Sequence, residues 1–367
     1  MRISKIILPV LLIGVASIGA RQLIQRGCLI KGTQTNRADQ RRPVLEVVSS
    51  VPRLQTGKYD TRDVALLPNG EIWAVGYDEK SVDHVYVSKD KGETWNRVEV
   101  PTNGFLLSAI TFTDAQHGWA VGSNGVIIRT KDGGIHWELL PLRGDVERGE
   151  RLPDLHAVHF VDANVGYIAG NRRTASKTSD EVSGDVKVLC TKDGGDNWRR
   201  CYQEDEPLSV MQITSKAQAT FVVLNSHVIR SEDQGESWQE VSTSAKYILG
   251  MAFSVDGAGW AVGTHGVFQK STDGGRTWNT VSLPANLTDR EWWGIAFNND
   301  GIGLAVGENA TLALTTDNGQ TWQLQTTIPG ENPRAIRMRD SQAMVLGEHN
   351  AYSLAIGSVS GQQPRSN

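Results

Sequence analysis

Six aspartates recur in one short pattern, Ser/Thr-x-Asp-x-Gly-x-x-Trp. The copies are Ser88-Asp90-Gly92-Trp95, Thr130-Asp132-Gly134-Trp137, Thr191-Asp193-Gly195-Trp198, Ser231-Asp233-Gly235-Trp238, Ser271-Asp273-Gly275-Trp278 and Thr315-Asp317-Gly319-Trp322. One reading is six acidic catalytic sites. The other is a turn staple. An Asp in a tight turn bonds a backbone N–H two residues on, and a following Gly supplies a positive φ without steric cost. The Ser/Thr hydroxyl braces the same loop. The Trp begins the outgoing strand, where its ring fills the gap between neighbouring hairpins. Chemistry seldom needs six identical carboxylates, so the staple is the expected role.

Two cysteines, Cys190 and Cys201, flank the third copy on the two strands of its hairpin. Residues directly opposed in a non-hydrogen-bonded antiparallel pair stand about 4.5 Å apart at Cα, close to the lower limit for a disulfide. A cross-strand disulfide is expected in an oxidising compartment. The pair has no second Cys or His pair at ligand spacing, so no metal is expected. His156 and His159 are three apart on a strand, which directs them to opposite faces.

The motif resembles the Asp-box of sialidase-like and related propellers, and the elements around it repeat with it. Each box follows a short apolar run bounded by glycine, such as Gly118-Trp119-Ala120-Val121-Gly122 or Gly259-Trp260-Ala261-Val262-Gly263. Upstream lies a further run in which large and small residues alternate, as in Ala109–Phe112 and Gly294–Phe297. That suits an innermost strand squeezed near a central axis. Each unit therefore reads strand A, strand B, strand C, box, strand D. Seven A and B strands stand against six boxes. The last unit ends without a box or an outer strand, and Val44–Val48 is expected to supply that strand and close the ring. The fold expected is all-β, a seven-bladed β-propeller, because one such unit cannot bury its own faces. Most boxes lie 40–44 residues apart, but Asp132 and Asp193 are separated by 61. The surplus falls in Arg143–Pro153 and in Asn171–Lys187, both read as loops on one face of the ring, where loop-borne function gathers on a rigid scaffold.

The partner-binding candidates follow from this. Arg143, Arg148, Arg151, Arg172, Arg173 and Lys177 crowd the two insertions among acidic neighbours. Arg337 stands where other units carry Ala65, Thr111, Ala252 and Ala296, and with His159 and Gln212 it places polar groups near the channel. Arg334 and Arg339 flank it. The formal net charge is −4, with no basic stripe for nucleic acid. At the N-terminus, Arg2 and Lys5 precede the apolar run Ile6–Ala20, the shape of a secretory signal. The expected division is residues 1–30 as signal peptide or membrane anchor, 31–43 as polar linker, 44–357 as propeller and 358–367 as a tail. Gln25-Arg26-Gly27 is a poor context for lipidation at Cys28.

The combination of Gly-Trp-Ala-Val-Gly and Thr-x-Asp-Gly-Gly-x-x-Trp, carried best by Gly118–Trp137 and Gly259–Trp278, resembles the photosystem II stability/assembly factor family of cyanobacteria and chloroplasts. The resemblance covers roughly Val44 to Gly357. It implies an exported propeller in the thylakoid lumen or periplasm, without catalysis or cofactor. Such a protein would hold a membrane-protein client, a photosystem II reaction-centre subunit, through surface Arg residues, and is expected to be a monomer. The rival class is an Asp-box glycoside hydrolase or carbohydrate-binding propeller. A hydrolase needs two carboxylates flanking the scissile bond, and Asp63 and Asp154 are the candidates. The Arg-Ile-Pro motif of sialidases is missing; Val51-Pro52-Arg53-Leu54 does not replace it.

Overall fold

The computed structural model describes residues 43–50, 59–78, 82–142, 153–175, 182–206, 208–241, 243, 247–325, 332–347 and 351–358. They form seven four-stranded antiparallel sheets. Six are built from consecutive strands, which we letter A to D from the axis outwards. Blade 1 runs Tyr59–Leu66, Ile72–Asp78, Asp83–Ser88 and Asn96–Val98; the inner strands of blades 2 to 7 are Leu107–Phe112, Asp154–Phe160, Val210–Lys216, Ile248–Phe253, Trp292–Phe297 and Ala335–Arg339.

Blade 7 takes its fourth strand from the other end of the described chain. Pro43–Ser50 pairs antiparallel with Ala351–Ser358, from Pro43↔Ser358 to Ser50↔Tyr352. The added strand covers the edge of Ala351–Ser358, which would otherwise be open to pairing with another chain.

Four of the seven B strands are buried along their whole length because blades cover both faces. Gly118–Gly122, Ala219–Leu224, Gly259–Gly263 and Gly303–Gly307 are buried at every position. The gaps between blades are filled by a repeated aromatic set. The B-strand ring of one blade meets the A-strand Phe and the box Trp of the next. Trp73 lies 5.5 Å from Phe112 and 5.8 Å from Trp137. Trp260 lies 5.9 Å from Phe297 and 5.7 Å from Trp322. The two contacts with Phe are tilted or stacked and the two with the box Trp edge-to-face, and such aromatic pairs add roughly 0.5–1.5 kcal/mol each beyond the area they bury. The box Trp thus closes the seam between blades as well as its own hairpin.

Blade 4 departs from the pattern. Ser215 occupies the Phe position, and Trp238 packs on Tyr167 at 6.1 Å and Tyr202 at 6.4 Å. The disulfide joining Cys190 to Cys201 fills the same seam. A Cβ placed on Gly235 of the blade 4 box would stand 2.6 Å from Cys190 Sγ. The Cα atoms of the pair are 5.9 Å apart. That exceeds the separation expected for directly opposed residues. The pairing slips between Val188 and Leu189, so Cys190 faces Arg199 and Cys201 falls in the bulge. In the Cys28→Ser protein we expect no titratable thiol before reduction and two after. Removing the bond as Cys190→Ser/Cys201→Ser should lower stability by about 2–3 kcal/mol, the value for a short closed loop. Two reactive thiols in the unreduced protein would defeat this.

Candidate functional site

The six box aspartates are spent on their own turns. In blade 1, Ser88 Oγ donates to Asp90 Oδ1 at 2.7 Å and accepts from the Gly92 N–H at 2.7 Å. Asp90 accepts the Thr94 N–H at 2.8 Å and its hydroxyl at 2.5 Å. The same set recurs at Asp132, Asp193, Asp233, Asp273 and Asp317. The carboxylate therefore reaches the N–H four residues on, not two, and the hydroxyl takes the glycine N–H. The turn is wider than the short Asx turn that the spacing suggested.

These bonds favour the charged carboxylate. The Thr94 hydroxyl and N–H hold Asp90 down at about 2. The His136 N–H and ring do the same for Asp132, and the Ser237 hydroxyl and N–H for Asp233, both about 2. Asp273 lies lower still, chiefly through Thr277. At Asp193 and Asp317 partial burial pulls upward, but the bonds from Asn197 and Thr321 outweigh it. Groups ionised this firmly cannot donate a proton at neutral pH.

A depressed folded pKa gives stability that is present above the unfolded value, near 3.8, and is lost as pH falls towards about 2. The urea midpoint should therefore drop steeply between about pH 4 and about pH 2, and Asp233→Asn should shallow that slope. A midpoint indifferent to pH in this window would refute the staple.

The blade 3 insertion is not the loop expected over Asn171–Lys187. Strands B and C each run ten residues, Gly166–Ala175 and Val182–Thr191. They stay in register from Gly166↔Thr191 to Ala175↔Val182. The inner strand stops pairing at Asn171 and the outer one at Val186. The hairpin thus continues beyond its sheet, on the face that carries the B–C and D–A connections. Arg172 does not stand loose on it: its Nε and Nη2 donate to both oxygens of Asp185 at 2.9 Å. Lys187 Nζ is 3.4 Å from the same carboxylate. The bonds from Arg172 lead in holding Asp185 below the usual carboxylate range. Arg143, Arg148, Arg151 and Lys177 lie outside the described residues, and Arg173 is described for its backbone alone.

His159, Gln212 and Arg337, the polar residues predicted near the axis, lie on inner strands and each bridges a different seam between blades. Gln212 bridges blades 4 and 5, accepting the Met251 N–H at 2.9 Å and donating to its carbonyl at 3.0 Å. His159 Nε2 is 2.7 Å from Ser215 Oγ across the blade 3–4 seam. Burial pushes its pKa down to about 4, so the ring is neutral at pH 7. Arg337 Nη2 lies 2.9 Å from Asp63 Oδ1 across the closing seam. Asp63 Oδ2 also accepts the Ile110 N–H at 3.2 Å. Burial raises the Asp63 pKa, and Arg337 opposes the rise. Arg339 Nη1 donates to the Leu66 carbonyl at 2.8 Å. Both carboxylates considered for glycoside hydrolysis are engaged in blade-to-blade bonds: Asp63 as above, and Asp154 Oδ1 with the Asn124 N–H at 2.9 Å. They stand on blades 1 and 3, with blade 2 between them.

One set of residues escaped the sequence reading. Each inner strand of blades 1 to 6 carries a β-bulge near its start. The register slips at Thr61/Asp63, Leu107/Ala109, Leu155/Ala157, Val210/Gln212, Ile248/Gly250 and Trp292/Gly294. The extra residues are Arg62, Ser108, His156, Met211, Leu249 and Trp293. All are exposed or half-exposed, whereas the residue before each is buried. Bulges re-aim a side chain in this way. Arg334 precedes the blade 7 inner strand at the corresponding place and is exposed. Aligning the seven inner strands would have located the position. Its unpaired state is a matter of register and is not written in residue type.

Seven blades with stapled turns on one face and an insertion on the other define a β-propeller of the Asp-box class. The family model for Photosynthesis system II assembly factor YCF48 matches residues 93–239 and 240–352, and the chain belongs to that family. It is 27% identical over 192 residues to the photosystem II assembly lipoprotein Ycf48 of Synechococcus sp. (strain CC9902), covering 50% of this chain and 51% of the relative. The chain spans about half the length of the first curated relatives it matches. Among solved structures, YCF48 bound to a D1 peptide superposes with a TM-score of 0.65 at 18% identity, covering 88% of this chain and 99% of the other. Virginiamycin B lyase of Staphylococcus aureus reaches 0.64 at 13% identity, covering 85% and 98%. At such identities the likeness shows the fold alone, which hosts binding proteins and enzymes alike.

Proposed function

We infer that this chain is a non-catalytic assembly factor that holds a membrane-protein client, a photosystem II reaction-centre subunit, while its complex is built. The observation that carries the reading is the family match across residues 93–239 and 240–352. The names of the relatives, and the D1 peptide bound by the structural neighbour, indicate the kind of client. The carboxylates support the absence of catalysis: the box aspartates are saturated with hydrogen bonds, and Asp63 and Asp154 tie blades together. Export is part of the proposal, with residues 1–30 as signal or anchor and the propeller in the lumen or periplasm. The insertion cations Arg143, Arg148, Arg151, Arg173 and Lys177 are proposed to flank the client.

The test is affinity capture on the immobilised full chain from detergent-solubilised photosynthetic membranes. Recovery of D1 is expected, with no turnover of aryl glycosides. Failure to retain any reaction-centre subunit, together with glycoside hydrolysis, would replace this reading with the hydrolase one.

A further inference from the structure

The bulge residues form a continuous arc, and its chemistry is graded. Blades 4, 5 and 6 present Met211, Leu249 and Trp293 in succession; blades 7 and 1 then present Arg334 and Arg62, the latter donating to the Tyr77 hydroxyl and lying over its ring. Their adjacency follows from the close approach of the strands beneath them. A Cβ on Gly250 would meet Gly294 Cα at 3.0 Å, and one on Gly294 would meet Ala335 Cα at 3.3 Å. Gln212 joins blade 4 to blade 5, and the Arg337–Asp63 pair joins blade 7 to blade 1.

Met211 is 41% exposed although Val210 beside it is buried. The indole N–H of Trp293 is buried, so the part of its ring that meets solvent is hydrocarbon. Tyr247, 48% exposed, immediately precedes the blade 5 inner strand. The arc surrounds the start of the inner strands, so it lies on the face from which the blade 3 hairpin extends.

We propose that this arc at the channel mouth seats an extended segment of the client, with apolar side chains on Met211, Leu249 and Trp293 and an adjacent Asp or Glu side chain turned toward Arg334 and Arg62. The proposal rests on the client reading above and adds where and how the client is gripped. Polarizable and aromatic side chains suit such a surface because they accept varied apolar partners. Guanidinium groups recognise carboxylates in a planar, directional way.

The test uses ~15-residue peptides tiling D1, capped at both ends so that only side-chain carboxylates remain, with binding to the full chain read by fluorescence anisotropy. The tightest peptide should combine apolar residues with Asp or Glu. Met211→Glu and Arg334→Glu should each weaken it by about tenfold or more. Ile135→Glu, on the opposite, box-bearing face, should leave it unchanged. Unaltered binding by both mouth variants would overturn the arc and leave the client reading standing. No binding by any capped peptide, or binding only when a free C-terminal carboxylate is restored, would also overturn it. D1 capture from membranes then decides the client reading separately.

Discussion

Deleting residues 43–50 is expected to open the ring. The eight-residue strand Pro43–Ser50 pairs with Ala351–Ser358 from Ser358 to Tyr352. Without it, the strand carrying the buried Leu354 and Ile356 becomes an exposed edge. Blade 7 has no box and no box Trp to compensate. It is held to blade 1 by Arg337–Asp63, by Arg339 to the Leu66 carbonyl and by Ser353 Oγ to the Lys91 carbonyl at 3.1 Å. Those bonds depend on blade 7 staying folded. The loss should be on the order of 5 kcal/mol, comparable with the whole margin of many domains. The truncated protein should aggregate through its new edge, and a synthetic peptide of residues 43–50 should restore a sharp urea transition. An unchanged midpoint in the truncated monomer would show that the seam does not need its outer strand.

The second large effect lies at the seam between blades 5 and 6. Trp260 is wholly buried, and its ring contacts Phe297, Phe268 and Trp322. Trp260→Ala should cost about 3–5 kcal/mol by lost burial and a residual cavity. Gly319 of the facing box sits at φ +79°, and a Cβ there would stand 2.2 Å from Trp260 Cζ2. Gly319→Ala should therefore cost about 3 kcal/mol, combining left-handed strain with overpacking. The two changes are coupled, because removing the indole makes room for the new methyl. Their combination should cost less than the sum of the singles by at least about 1 kcal/mol. Strict additivity in a urea-unfolding cycle would mean that the box glycine is needed for its turn alone and not for the neighbouring ring.

What the chain declared by itself was local. The hydroxyl, carboxylate and glycine of each box sit within five residues, so turn chemistry alone made the six hairpins legible, and the seven A and B runs set the blade count. The short apolar runs bounded by glycine identified the buried B strands for the same reason. The missing outer strand of blade 7 pointed to residues 44–48 because an uncovered edge is costly. What the tertiary structure decided concerns register and contacts across blades. Arg337 and Asp63 meet only when the ring closes, so neither residue type announces the pair. The Asn171–Lys187 stretch is largely polar, and it reads as a loop until backbone pairing lengthens the hairpin. Cys201 is displaced by a bulge that no spacing rule encodes. The arc from Met211 to Arg62 exists because the inner strands of blades 4, 5, 6 and 1 bulge at the same place, and Arg334 precedes the blade 7 strand at the corresponding one. That is a property of how strands pair, and the order of amino acids along a single strand does not express it.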